Sequence, residues 1–67
     1  MPKYEYTRRF IDYEKGDKVK VINRKPYEKG YGLRDYGEVY QVLYYTVVVL
    51  FDTGVVINMK REDIALI

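Results

Sequence analysis

Two valine-rich runs, Val47-Val48-Val49-Leu50-Phe51 and Val55-Val56-Ile57-Asn58-Met59, are separated only by Asp52-Thr53-Gly54. This pattern constrains the fold more tightly than any other part of the chain. β-Branched residues fit a pleated, half-buried surface better than a helix. Runs this short have the length of strands. Gly54 is able to take the positive φ of a tight hairpin. The string therefore predicts strand, hairpin and strand, and it commits the chain to a β fold.

The rest of the sequence agrees. Gly16-Asp17 is a turn signal, and Lys18-Val19-Lys20-Val21-Ile22 after it alternates polar and apolar residues. That period puts Val19 and Val21 inside and the two lysines outside. Gly37 to Leu43 predicts a further strand, and Tyr44-Tyr45-Thr46 a tight connection into the valine runs. Lys60-Arg61-Glu62-Asp63 suits one turn of 3₁₀ helix, and Ile64 to Ile67 a short closing strand. Between the first two strands, Asn23 to Tyr36 contains Pro26, Gly30 and Gly32 and predicts a long loop. Long loops in compact domains are often functional. No stretch has the 3.6-residue period of an amphipathic helix. Residues 1–15 are polar, charged and tyrosine-rich, and are expected to form an N-terminal arm or an extra strand, with the barrel domain over residues 16–67. Short strands like these gain stability by closing into a barrel, which buries one face and removes free edges.

The 67 residues suffice for one compact domain. With no cysteine and no histidine, a disulfide framework and any thiolate or imidazole metal site are excluded, and no cofactor is expected. The apolar core must hold the fold alone, or a homodimer must help. The net charge of +2 does not by itself call for a nucleic-acid partner. The longest apolar run, Val47 to Phe51, is far too short to span a membrane. Met1-Pro2-Lys3-Tyr4-Glu5 has no apolar signal-peptide core, so a cytoplasmic location is expected.

The spacing Gly16-Asp17-Lys18-Val19-x-Val21-Ile22, then Gly37-Glu38-Val39-x-x-Val42, Val47-x-Val49-x-Phe51-Asp52 and Asp63-Ile64-x-Leu66 resembles the SH3-like small barrels. The first two blocks are similar to the KOW-type half of that group, found in ribosomal and transcription-elongation proteins. The layout also resembles a small photosystem accessory subunit and short phage-borne SH3-like proteins of Gram-positive bacteria. The resemblance implies an all-β, five-stranded SH3-like barrel, with a long loop between the first two barrel strands and an N-terminal arm. It implies a binding or adaptor module, of phage-accessory type or, in the KOW direction, an RNA or DNA binder. A KOW motif has a short link where this chain carries Arg24 to Tyr36.

Enzymatic chemistry has little to stand on. There is no histidine base, no cysteine nucleophile and no phosphate-cradling glycine loop before a helix. Asp52-Thr53-Gly54 matches the tripeptide of aspartic proteases, but its place between two valine runs predicts a hairpin turn. The chain is read as non-enzymatic.

Two binding faces are candidates. Tyr27, Tyr31, Arg34, Tyr36 and Tyr40 can supply a protein-binding face, since Tyr and Arg are frequent interface anchors. Arg8, Arg9, Lys18, Lys20, Arg24, Lys25 and Lys29, interleaved with tyrosines, suit the alternative, a nucleic-acid surface. Acidic residues among them, such as Glu28 and Asp35, weaken that field. If Val47, Val49 and Phe51 point inward, Val48 and Leu50 point outward and with Val56 make an apolar patch, which the arm, a partner or a second copy would cover.

Overall fold

The computed structural model describes residues 13–67. The expectations for residues 1–12, including Arg8 and Arg9 and most of the N-terminal arm, lie outside the described residues. The strands are β1 (Lys18–Val21), β2 (Tyr36–Val42), β3 (Thr46–Leu50), β4 (Val56–Lys60) and β5 (Ile64–Leu66). They form one antiparallel sheet in the order β4-β3-β2-β1-β5. Two 3₁₀ turns, Lys25–Tyr27 and Arg61–Asp63, are the only helical segments among the described residues. No described helix is long and apolar enough to cross a membrane.

The closed barrel expected from the sequence does not form. β4 and β5 are the two edges of the sheet and do not pair with each other. The reason is local. The 3₁₀ turn at Arg61–Asp63 carries the chain away from β4, and the three residues of β5 are taken up by pairing with β1. The sheet curls enough to bury one face but is left open along a seam.

Alternation works as predicted on β1, where Val19 and Val21 are buried and Lys18 and Lys20 exposed. On β3, Val47 and Val49 are buried, and Phe51 follows them inward. Met59 and Ile64 complete the centre with Val39. Burying a side chain of this size fully contributes about 1.5–3 kcal/mol. Gly37 makes the central packing possible: a Cβ there would lie 2.5 Å from Val49 Cγ1 and 3.0 Å from the Phe51 ring. The β2–β3 register shifts between Val39 and Gln41, so Tyr40 is the extra residue of a bulge. The Asp52-Thr53-Gly54 turn closes as a hairpin, with Gly54 N–H on Phe51 O (2.9 Å) and Gly54 at φ +87°.

The long loop is part of the fold. Leu33 is buried in the core, with Tyr27 packed against the cluster. Thr53 Oγ1 donates to Gly32 O at 2.7 Å, and a Cβ on Gly32 would strike Val55 Cγ2 at 2.5 Å. At the other end of β4, Lys60 N–H donates to the Tyr27 hydroxyl at 3.0 Å. The loop thus guards both ends of an edge strand whose unpaired backbone groups would otherwise template pairing with another chain. Tyr13, from the start of the described chain, is also buried, and its hydroxyl donates to Ile64 O (3.2 Å).

Candidate functional site

The predicted protein-binding residues separate into two kinds. Tyr31, Tyr36 and Tyr40 expose their rings, at 88%, 56% and 48% of their surface. Tyr36 and Tyr40 stand on β2, and Tyr31 is carried by the loop beside Gly32, which is pinned to the β3–β4 hairpin. Arg34 reaches that hairpin too, with Nε 3.5 Å from Asp52 Oδ1. A shallow depression of about 260 Å³ next to Tyr36 is lined by Lys18, Glu38, Leu50 and Asp52. The outward-facing Leu50 pairs across the strands with Glu38 and with Val56, so the apolar patch continues onto this face.

Tyr27 is different. Its hydroxyl donates to Asp63 Oδ2 while accepting from Lys60 N–H. Burial raises the Tyr27 pKa above the usual value, and the hydrogen bond to Asp63 raises it further. Tyr27 therefore anchors the loop, while Tyr31 projects from it.

The basic residues are partly neutralised. Lys18 Nζ lies 3.0 Å from Glu38 Oε1. Arg24 lies 2.7 Å from Asp35 Oδ1 and 3.8 Å from Glu28 Oε2. Lys20, Lys25 and Lys29 are exposed and make no ion pair among the described residues. Lys15 Nζ sits 5.7 Å from the centroid of the Tyr40 ring, a cation–π distance. Lys20 and Tyr36 are direct cross-strand neighbours, whereas Arg24, Lys25 and Lys29 lie in the loop. Asp52, the aspartate of the Asp-Thr-Gly tripeptide, is 84% exposed at its side chain, in the hairpin turn.

Asp63 entered sequence reasoning only within the Asp63-Ile64-x-Leu66 block and a polar turn, not as a site residue. It is the one buried charged residue among those described, 4% exposed. Its carboxylate accepts from Asn23 Nδ2 (3.1 Å) and from the Tyr27 hydroxyl, and its carbonyl accepts from Ile22 N–H (2.9 Å). In sequence it belongs to a polar quartet that looks like a solvated turn. No local signal ties it to partners 40 and 36 positions away.

Arg61, also unremarkable in sequence, donates from Nη1 to Tyr44 O and from Nη2 to Leu43 O, both at 2.8 Å. It braces the β2–β3 connection, where Tyr44 and Tyr45 stand 84% and 79% exposed in an edge-to-face pair. No protein family, curated protein or solved structure compared with this chain matches it.

Proposed function

We propose that this small all-β domain is a non-enzymatic binding module of SH3-like type that engages a protein partner through Tyr31, Arg34, Tyr36 and Tyr40. The observation that carries the reading is the division of labour among the tyrosines. Tyr13 and Tyr27 are spent on the fold, whereas Tyr31, Tyr36 and Tyr40 expose large amphipathic rings, Tyr36 beside a shallow depression. Such rings lose little entropy on binding and combine apolar area with a polar handle. Tyr27 contributes by holding the loop in place.

The second reading is a KOW-like nucleic-acid binder. Lys20, Lys25 and Lys29 with the Lys15–Tyr40 pair favour it. The Lys18–Glu38 and Arg24–Asp35 pairs count against it, since a phosphate would have to displace a carboxylate at each.

Pull-down from the source proteome with Tyr31→Ala and Tyr36→Ala variants tests the first reading. Both variants are expected to stay folded and to lose partner capture; unchanged capture overturns the assigned face. Electrophoretic shift with single- and double-stranded nucleic acid at low and moderate salt tests the second. Binding that weakens steeply with salt would support it, and no shift at low salt would remove it.

A further inference from the structure

The seam left by the unclosed sheet forms a groove of about 840 Å³. It runs between the β2–β3 connection, where Tyr44 and Tyr45 project, and the outer edge of β5, with Tyr13 and Arg61 among its lining residues. Ile67 N–H donates to Lys18 O, and Ile22 N–H donates to Asp63 O, with Ala65 opposite Lys20 between them. The alternation of an antiparallel ladder then aims the backbone groups of Ile64 and Leu66 away from β1. Those of Ile64 are used: its N–H goes to Arg61 O, and its carbonyl accepts from the Tyr13 hydroxyl. Those of Leu66 have no partner among the described residues, and the Leu66 side chain is 44% exposed in the groove.

The charge of the groove is also incomplete. Arg61 holds two backbone carbonyls but makes no ion pair with a carboxylate among the described residues. Its Nε is buried without an acceptor. Lys60 beside it adds a second positive charge, against the single negative charge of Glu62. Arg61 is half-buried in the groove wall, and a guanidinium without a counter-ion among the described residues favours a carboxylate, which meets it in a charge-assisted hydrogen bond.

We infer that this groove receives an extended segment of another protein that adds beside Leu66 on the β5 edge, lays an apolar side chain against Tyr44 and Tyr45, and presents an Asp or Glu to Arg61. Main-chain bonds at a strand edge supply affinity in such additions, and side-chain pockets supply specificity. The site lies on different elements from the Tyr31–Tyr40 face and is independent of it.

The test is a ¹⁵N-resolved NMR titration of the full chain with two capped probe peptides of about eight residues. Both alternate valine and threonine; one carries a central aspartate and the other asparagine at the same place. The aspartate peptide is expected to give saturable shifts centred on Leu66, Ala65 and Tyr45, with slowed exchange of the Leu66 amide. The asparagine peptide is expected to bind about fivefold or more weakly, because the charge-assisted bond is lost. Tyr45→Ala is expected to weaken binding and Tyr31→Ala to leave it unchanged. Absence of shifts at Leu66, equal affinity for the two peptides, or shifts centred on Tyr31, Tyr36 and Tyr40 would each overturn the proposal.

Discussion

The Tyr27 hydroxyl and the Asp63 carboxylate meet across 36 positions of sequence and join the long loop to the turn before β5. The same hydroxyl accepts from Lys60 N–H at the edge of β4. One side-chain oxygen thus serves three elements. Asp63 has a second donor in Asn23 but no cation paired with it among the described residues.

Tyr27→Phe keeps the ring and removes the hydroxyl. It leaves the buried carboxylate short of a donor and Lys60 N–H short of an acceptor. A destabilisation of about 1–3 kcal/mol is expected, read as a lower urea midpoint at unchanged slope. Asp63→Ala, which strands both Tyr27 and Asn23, is expected to cost at least as much. A change within about 0.5 kcal/mol for both variants would show that the latch does not hold the loop.

Stability is expected to fall in alkali. Tyr27 and Tyr13 both have hydroxyl pKa values raised above 10.0, chiefly by burial. For Tyr27 the bond to Asp63 raises it further, while for Tyr13 the positive charge of Arg61 partly opposes the rise. A raised folded-state pKa means that the unfolded chain loses its proton first. The associated stability is therefore complete below about pH 10 and is lost as pH rises through the folded values. Thermal melts between pH 8 and pH 11 should show this decline, and the double variant Tyr13→Phe/Tyr27→Phe should flatten it. A melting temperature rising over that range would contradict the assignment.

Two glycines should separate cleanly. Gly54 has φ +87° but open space around it, so Gly54→Ala should cost about 1–2 kcal/mol from backbone strain alone. Gly37 meets Val49 and Phe51 at contact distances no methyl can share, and relief requires the core to move. Gly37→Ala should therefore cost more, about 1–3 kcal/mol and toward the upper end. Equal small effects at both positions would show that β2 and β3 can slide apart without penalty.

Phe51→Ala removes the largest of the fully buried side chains. Such a truncation costs about 3–5 kcal/mol. A single core in a chain of 67 residues supplies about 3–5 kcal/mol of net stability, no more than this loss. The variant is expected to be largely unfolded at 25 °C by far-ultraviolet circular dichroism. By contrast, Lys18→Ala and Arg24→Ala break exposed ion pairs and should change stability by less than about 1 kcal/mol. A well-folded Phe51→Ala variant would mean that the centre of the core is misplaced.

Local pattern alone determined the strands of this protein. The alternation of Val19 and Val21 with lysines, the valine runs and the Gly54 turn each act over a few residues, and a period of two leaves only one face to bury. The direction of Phe51 follows from the same rule, and the one-turn 3₁₀ segment before β5 from the polar quartet Lys60 to Asp63. Tertiary structure decided what depends on distant partners. It put Leu33 into the core and made Tyr27 an anchor while Tyr31 stayed exposed. It buried Asp63, the last residue of a charged quartet that reads in sequence as a solvated turn. It also left the sheet open, because closure depends on whether β4 and β5 can reach each other after the turn between them, and strand propensity carries no information about that distance. The groove, and the Leu66 backbone and Arg61 charge left without partners among the described residues, all follow from that one geometric outcome.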